Sequence, residues 1–448
     1  MTAAARPGLR PLAREGENSR EDFARSVTIS TAAEAASIVL ALLALRAAAG
    51  FGPVGFGIYA VGRRALQLIA YPALLGLGIS LPRHVAHDGV FGAESTSRQA
   101  LLAALLLLTP GFVALALLAL IWPGTIADIF YGDSSYVGMA RSIVIAALGL
   151  GVHTLAHGLY RGRMQFHRAA LLHVLGAGLI PLLAILAADG PQGAIALTGA
   201  GWMLAGAVSL VEVTVRRESA PQHRSRRLSG VVRALASHGV VRVPGELALF
   251  ALFAVPVLIV ARTAGAAPAG FLSLGLSVVA LGASGLAGFG VVLLPYISRA
   301  AARGDNAGIV RSVGRILGPI VLASAAMTAA IYVITPPALV YLLGTQYANA
   351  ADSVRLVTLG IVPYVVYVIL RNPLDAVRVW PYNSINLSVS LGFMLLLLTV
   401  VPRTVSPAAA VLLSLILLGA LTLASWRHAL HAGRTGVSDA MTLDEGQP

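Results

Sequence analysis

Twelve apolar stretches of about 20 residues divide this chain of 448 residues. Each is long enough to cross a bilayer, because a transmembrane helix needs about 20 mostly apolar residues. Backbone N–H and C=O groups find no partner in lipid, so continuous stretches of this length must be helical. The sequence therefore predicts an all-α integral membrane protein with about twelve transmembrane helices. The stretches lie at approximately 26–48, 57–81, 99–122, 139–160, 169–188, 194–215, 238–261, 268–297, 314–335, 353–370, 383–401 and 407–426.

The composition excludes a soluble protein. Only 11% of the residues are charged and 57% are hydrophobic, whereas soluble domains carry roughly 25% charged residues. Too few polar side chains remain to cover a surface in water. The chain also contains no Cys and no Lys, which excludes thiolate metal sites, a P-loop lysine and a Schiff-base lysine. We predict no cofactor.

The distribution of arginine predicts the orientation in the membrane. The formal net charge is +13, but no basic segment interleaved with aromatic residues is present to bind nucleic acid. Arginines concentrate in the N-terminal tail and on alternate loops, with seven between Arg216 and Arg242, whereas the opposite loops carry Arg262 and Arg403. Because basic residues accumulate in cytoplasmic loops, we predict a multi-pass plasma-membrane protein with both termini in the cytoplasm.

The longest predicted cytoplasmic loop divides the chain into two halves of six helices each. The polar ends are predicted to be cytoplasmic tails, the first of them disordered, because they lack an apolar stretch. The predicted units are a tail at 1–24, an N-terminal bundle at 25–217, a linker at 218–237, a C-terminal bundle at 238–427 and a tail at 428–448.

The two halves carry similar short segments. The sequence after helix 1 runs from Arg46 to Phe56 and the sequence after helix 7 runs from Arg262 to Phe271, each ending in Gly-Phe. Six helices per half give both halves the same sense of insertion, which indicates a parallel repeat of the kind found in transporters. The GxGxxG match at 50–55 lies between two membrane helices, without a preceding strand, so we interpret it as a tight turn and not as a dinucleotide site.

Several segments together resemble one family. LRAAAGFGPVGFGIYAVGRRALQLIAYPALLGLGISLPRHVA (45–86) resembles the first helical hairpin of polysaccharide flippases, which belong to the multidrug/oligosaccharidyl-lipid/polysaccharide exporter superfamily. LLPYISRAAARGD (293–305) is similar to the family's segment after helix 8, and LVYLLGTQYANAADSVRLV (339–357) is similar to its loop before helix 10. GLYRGRMQFHRAALLHVLG after helix 4 fits the same pattern, and the segments follow in the family's order.

The resemblance implies a fold of two six-helix bundles arranged as a V around a central cavity. The implied activity moves a lipid-linked saccharide from the cytoplasmic to the outer leaflet by alternating access. The implied partners are membrane lipid and a saccharide on a polyprenyl (di)phosphate, with H⁺ or Na⁺ as candidate coupling ions and glycan-assembly enzymes as candidate protein partners. Nucleic acid is not an expected partner.

Two arginines inside a span are the first candidate binding residues. A charge at the centre of a span costs about 2.5–3.5 kcal/mol on the insertion scale and is a functional candidate for that reason. Arg63 and Arg64 are expected roughly 10 Å below the outer end of helix 2. A guanidinium group suits bidentate contact with phosphate, so we assign both to binding the headgroup; the alternative is that they extend toward the outer lipid headgroups.

Further charged residues complete the candidate set. Glu34 in helix 1 and Glu246 in helix 7 occupy equivalent helices of the two halves, and both are candidate ion-coupling carboxylates; a static ion pair or a neutral acid is the alternative. Arg25 at the inner mouth of helix 1 and Arg242 are further candidates for binding the headgroup. Arg242 lies one turn before Glu246 and can instead pair with it.

Histidines at four-residue spacing carry a weaker signal. His153 and His157 on helix 4 have a spacing that can chelate a metal, but no third ligand accompanies them in the sequence. We therefore interpret them as a packed or cavity-lining pair and predict no metal site.

Three other interpretations remain open from the sequence. A drug or cation antiporter of the same superfamily, coupled to H⁺ or Na⁺, would favour acidic over basic residues in its cavity. A membrane polysaccharide polymerase or glycosyltransferase would resemble chains with a long loop or an acidic catalytic cluster. A different transporter fold with two six-helix halves would carry Gly-x-x-x-Asp-Arg after helix 2, which the segment RHVAHDGVFG lacks.

Overall fold

The structure is a computed structural model of the chain. It describes residues 10–90, 96–215, 227–240, 243–302, 306–377, 381–401 and 404–441. All regular secondary structure in these ranges is helical, as the length of the apolar stretches predicts.

Seventeen α-helices follow one another in the described ranges, with one π-helical segment at Leu175–Leu179 and 3-10 turns at Ser134–Tyr136 and Thr345–Ala350. The first nine helices are α1 (Arg10–Ala49), α2 (Gly52–Ala73), α3 (Leu77–Val90), α4 (Thr96–Ile121), α5 (Pro123–Tyr131), α6 (Val137–Gly162), α7 (Phe166–Val174), α8 (Ile180–Ala187) and α9 (Pro191–Val215). The remaining eight are α10 (Leu228–Val240), α11 (Val243–Ala264), α12 (Ala266–Ala302), α13 (Asn306–Leu343), α14 (Ala351–Thr358), α15 (Ile361–Val377), α16 (Tyr382–Val400) and α17 (Pro407–Met441).

These helices confirm the predicted number of spans. Within the described ranges, 10 helical segments are long and apolar enough to cross a membrane, and the number is 12 when each of two bent helix pairs counts as one span. The bent pairs are α2 with α3 and the helical turns from Thr345 with α15. They coincide with the second and tenth apolar stretches, so the order of the spans is the predicted one.

The bends themselves were not predicted, because each apolar stretch reads as one continuous helix. The second span bends by 47° at a break where Leu75 and Gly76 have φ of 49° and 68°. A β-carbon on Gly76 would collide with the backbone of Gly239 in α10. The break therefore lets the helix between the two halves pack directly against the second span.

Several element boundaries also differ from the predicted ones. α1 begins at Arg10 and α17 continues to Met441, so residues 10–24 are helical where we expected a disordered tail. Residues 10–24 contain three Arg and three Glu, which favour helices without being apolar. α10 begins inside the predicted linker at 218–237 and extends three residues beyond it, and residues 218–226 of that linker lie outside the described ranges. The GxGxxG segment is a turn, as predicted: α1 ends at Ala49 and α2 begins at Gly52 with φ of 73°.

The two bundles meet along α2. In the first bundle α6 packs along α9, and in the second α12 packs along α15, while α2 lies against both α11 and α12 of the second bundle. A β-carbon on Gly57 would collide with the backbone of Ala266, and a β-carbon on Gly270 would collide with the Cα atom of Gly57. Such close approach between helices requires small residues. The distribution of arginine predicts which end of the bundles faces away from the cytoplasm, and we call that end the outer end.

Candidate functional site

The two membrane arginines lie at the contact between the bundles. α2 begins at Gly52, five residues before the predicted start, so Arg63 lies about 16 Å below the outer end and not 10 Å. Arg63 is exposed, and its guanidinium carbon lies 5.8 Å from the centre of the Tyr59 ring. Arg64 is buried, with 8% of its surface exposed. Adjacent positions on one helix thus place one cation toward open space and one inside the protein.

Arg64 joins the two bundles through neutral acceptors. Its Nε donates to the Ser273 hydroxyl at 3.3 Å, and one terminal nitrogen donates to the Ser273 carbonyl at 3.4 Å and the Ser277 hydroxyl at 3.3 Å. The other terminal nitrogen donates to Gln67 at 3.4 Å. Within the described part of the chain, neither Arg63 nor Arg64 forms an ion pair. The protein therefore leaves two positive charges without a counter-charge at mid-depth.

A small cavity, which we call the arginine pocket, connects these groups. Leu45, Tyr59, Arg63, Arg64, Gln67, Ser273 and Ser277 are among its lining residues. Its volume is about 20 Å³, which is the space of roughly one water molecule. In this conformation the pocket is too small for a phosphate-bearing headgroup, because α2 and α12 are packed together.

The outer end is closed by an aromatic cluster built from both halves. The Tyr347 hydroxyl donates to the Ala49 carbonyl across the bundle contact at 2.9 Å. Phe56 and Phe271 both pack edge-on against the Tyr347 ring, at 5.8 and 6.1 Å between ring centres. These two phenylalanines end the similar segments of the two halves. The segments that looked alike in the sequence therefore meet at one residue.

A second contact closes the same end. Arg262 on α11 donates to the Ile129 carbonyl on α5 at 3.3 Å, and its side chain packs over Gly132. Arg262 thus has a partner in the opposite bundle. Arg46, its counterpart in the first half, is exposed at the outer end of α1.

Glu34 lies in a different environment from the arginine pocket. Its carboxylate is 3.1 Å from Nε2 of His173 on α7, and both side chains are 38% exposed. Ser284 on α12 is close enough to Glu34 to interact with its carboxylate, while the Ser284 hydroxyl donates to the Leu281 carbonyl at 3.1 Å. The sequence singled out Glu34 but not His173 as its partner, because 139 residues separate them.

Three histidines form a row that ends at this carboxylate. The ring centre of His157 lies 6.4 Å from that of His153 and 6.1 Å from that of His173. His153 Nε2 lies 3.0 Å from the Leu172 carbonyl, and a β-carbon on Gly176 would collide with the His153 ring. Among the residues that the structure describes, no group of His and acidic side chains has the geometry of a metal site. His153 and His157 pack in a row, as we interpreted them.

Among the remaining candidates, Glu246 is the one whose side chain lies in the described part of the chain, and it does not line the arginine pocket. Glu246 lies in the first turn of α11 and is close enough to Tyr71 on α2 to interact electrostatically. Arg242, its predicted partner, lies outside the described ranges, and the side chain of Arg25 does so as well. Their predicted roles stay predictions.

Ser273, Ser277 and Gln67 are the site residues that sequence reasoning missed. A weak signal for two of them existed, because positions 273 and 277 are four apart and so share one face of a helix. Nothing local in the sequence connects that face to Arg64, 209 residues earlier.

With the geometry described, the similarity to known proteins can be stated. The model of a family described as polysaccharide biosynthesis protein matches residues 95–352, more than half of the chain. No curated protein sequence matches the chain.

Solved structures of similar fold are transporters. An inward-facing multidrug resistance MATE family transporter of the MOP superfamily has a TM-score of 0.68 at 14% identity, over 94% of this chain and 100% of that chain. An outward-facing structure of such a transporter has a TM-score of 0.61 at 15% identity, over 94% and 96%. A MOP superfamily transporter from Pyrococcus furiosus, described as having a binding pocket of reverse polarity, has a TM-score of 0.60 at 15% identity, over 93% and 95%. These similarities establish the fold of a MOP-type membrane transporter with two helical bundles.

Proposed function

We propose a transport activity for this chain from the premise that it belongs to the polysaccharide biosynthesis protein family. The proposed substrate is a saccharide linked to a polyprenyl (di)phosphate, and the proposed reaction is its transfer from the inner to the outer leaflet. Enzymes that assemble the glycan on the cytoplasmic face are the proposed protein partners, because they would supply this substrate.

The observation that carries the proposal is the arginine pocket. Arg63 and Arg64 have neutral partners only, at a depth where each uncompensated charge costs about 2.5–3.5 kcal/mol. A phosphate group would supply the missing negative charge and accept bidentate hydrogen bonds from a guanidinium group. A saccharide adds hydroxyl groups that Gln67, Ser273 and Ser277 can hydrogen-bond. The pocket therefore suits an anionic, polar headgroup.

The proposed mechanism is alternating access of the two bundles. In the present conformation α2 is packed against α11 and α12 at the outer end, which closes that exit. Parting these helices would break the contacts of Arg64 with Ser273 and Ser277 and turn Arg64 toward the cavity. Arg63, which is already exposed, would receive the phosphate from the cytoplasmic side while the outer end is closed. When the outer end opens, Arg64 would exchange its protein partners for the phosphate, and the return of Arg64 to Ser273 and Ser277 would release the phosphate toward the outer leaflet.

The predicted orientation gives the direction of transport. With both termini in the cytoplasm of a plasma membrane, the substrate anion moves outward. An inside-negative potential favours that movement by about 2.3 kcal/mol per charge per 100 mV. Coupling to an ion can therefore assist transport without supplying all of its driving force.

H⁺ is the coupling ion that the Glu34 environment favours. A sodium ion requires several oxygen ligands, whereas His173 Nε2 already occupies one Glu34 oxygen at 3.1 Å. Glu34 and His173 form an acid–base pair that can take up or release a proton, and both side chains are exposed enough for protons to reach them. Protonation would alter the contact among α1, α7 and Ser284 of the second bundle.

An antiporter for drugs or cations is the alternative function, and the Glu34–His173 pair is the observation that favours it. Such a transporter needs an acidic group that exchanges a proton for a cation. The arginine pocket argues against it, because its lining carries two cations and no carboxylate.

Reconstituted liposomes test the proposal directly. A fluorescent polyprenyl-diphosphate saccharide is placed in one leaflet, and its accessibility in the other leaflet is measured over time. We expect protein-dependent crossing that is lost in the double variant Arg63→Gln, Arg64→Gln. The double variant Arg98→Gln, Arg141→Gln removes the same charge from exposed positions elsewhere and should cross normally. Efflux of a cationic dye without saccharide crossing would instead establish the antiporter.

A further inference from the structure

A second cavity lies beside the arginine pocket, between the bundles at the outer end. Its volume is about 540 Å³, within the range of roughly 300–1,000 Å³ that ligand pockets occupy. The last two turns of α1 form one wall, the outer half of α13 forms the other, and Leu274 and Val278 of α12 form the floor. We call it the apolar groove.

The groove is lined almost wholly by hydrocarbon. On α13 the lining residues recur at helical spacing, so they form one continuous stripe from Met327 to Leu343. Thr335 satisfies its hydroxyl within its own helix, by donating to the Ile331 carbonyl at 2.6 Å. Arg46 is the one charged residue of the lining. The groove thus offers an apolar chain a dry surface, with a cation at its outer rim.

The length of the groove matches a lipid chain. Met327 to Leu343 spans about 24 Å at 1.5 Å per residue, most of the roughly 30 Å thickness of a bilayer's hydrocarbon core. Exposed side chains such as Val39 of α1 and Ile334 of α13 line the two walls. The groove therefore lies open where a chain can enter from the membrane.

The groove adjoins the arginine pocket. Leu45 lines both cavities, and Arg46 follows it at the rim of the groove. Nothing in the lining of either cavity is acidic. A molecule with a phosphate group and one long apolar chain could place the phosphate near Arg46 or Arg63 and the chain along α13.

We propose that the apolar groove binds the polyprenyl chain of the transported lipid. This inference rests on the proposed function and adds a second binding site to it, for the lipid rather than for the headgroup. The position beside the arginine pocket favours this occupant over a phospholipid of the bilayer, because the headgroup and the chain of one molecule would occupy adjacent sites. The groove is open while the arginine pocket is closed, so chain binding does not require an open headgroup site.

Photolabelling tests the occupant without relying on transport. The full chain in lipid nanodiscs is exposed to polyprenyl phosphate that carries a diazirine on its prenyl chain, and in parallel to phosphatidylglycerol that carries a diazirine on an acyl chain. Labelled residues are mapped by mass spectrometry. We expect the prenyl probe to label the α13 stripe and the end of α1 about tenfold more than the phosphatidylglycerol probe, a ratio that corresponds to about 1.4 kcal/mol.

Two neighbouring alanines give a matched pair of variants. Ala330 lines the groove, whereas Ala329 is exposed on α13 and does not line it. Ala330→Trp should lower prenyl labelling about tenfold, because the indole ring would occupy space in the groove that the prenyl chain needs. Ala329→Trp should leave labelling unchanged and shows that the helix tolerates the added ring.

The outcomes separate the two proposals. Equal labelling by phosphatidylglycerol, absence of label from the groove, or equal effects of the two tryptophans would each overturn the chain-binding site. Normal liposome crossing by Ala330→Trp would also overturn its role in transport. Selective prenyl labelling in a chain that moves no saccharide would support the groove and overturn the proposed function instead.

Discussion

The arginine pocket and the Glu34–His173 pair are two charged sites in one membrane domain, and they are built in opposite ways. Arg64 is buried between the bundles and is held by hydroxyl, carbonyl and amide groups of both. Glu34 is half-exposed, and its main partner, His173, lies in the same bundle at 3.1 Å. The first site lacks a counter-charge, whereas the second contains one.

We propose different tasks for the two sites because of this difference. A site without a counter-charge can bind an anion when its helices part, so we assign it to the substrate. A site that contains its own acid and base can gain or lose a proton, so we assign it to coupling. Four substitutions test that division.

Arg64→Ala should give the largest effect. The variant lacks the guanidinium group, so two or more hydrogen bonds to the charged phosphate of the substrate are lost. The binding free energy should fall by about 3 kcal/mol, which corresponds to roughly 100-fold slower crossing in liposomes. The fold should survive, because Ser277 can keep its bond to the Ser273 carbonyl at 2.8 Å. Monodisperse elution of the variant checks the fold. Crossing at the natural rate would remove Arg64 from substrate binding and undo the contrast between the sites.

Glu34→Gln should act on pH dependence rather than on binding. The natural chain is expected to cross at a rate that depends on pH, and the variant should lose that response and retain its affinity for substrate, because glutamine does not ionise. His173→Gln should have the same effect, because Glu34 and His173 act together as one acid–base pair. Asp189→Asn changes an exposed acid outside the pair and should keep the response. A preserved pH response in Glu34→Gln would contradict the coupling role.

Tyr347→Phe tests whether closure of the outer end limits access to the arginine pocket. Its single hydrogen bond to Ala49 contributes about 1 kcal/mol, so the open population should rise about fivefold. The natural chain contains no Cys, so spin labels can be attached at Val54→Cys and Tyr341→Cys, two exposed positions on opposite bundles. An unchanged distance distribution would show that the aromatic cluster closes this end without that hydrogen bond.

Ser273→Ala should give the smallest effect. Arg64 loses one hydroxyl acceptor but keeps the Ser273 carbonyl and Gln67, so crossing should fall about two- to threefold, as expected for one hydrogen bond worth about 0.5 kcal/mol. Ser142→Ala is the matched control, because Ser142 is also buried and bonds only within its own helix. A loss as large as that of Arg64→Ala would mean that the serine itself contacts the substrate.

Much of the fold could be predicted because membrane spans depend on local composition. The twelve apolar stretches and their order follow from the backbone's need for internal hydrogen bonds in lipid. The break at Leu75 and Gly76 was not predicted, because the helix that it allows to approach, at Gly239, is distant in sequence. The helical tail from Arg10 was missed since hydropathy finds apolar stretches, not polar helices.

The candidate site divides in the same way. Charged residues inside apolar stretches are visible in the sequence, so Arg63, Arg64 and Glu34 were found, and the similar segments that end at Phe56 and Phe271 were visible as well. Only the tertiary structure decided that Arg64 is buried against Ser273, that Glu34 meets His173, and that both phenylalanines meet Tyr347. Composition determines which segments lie in lipid, because the free-energy cost of placing polar groups there depends on the segment itself. The partners of a charged side chain depend instead on which helices pack together.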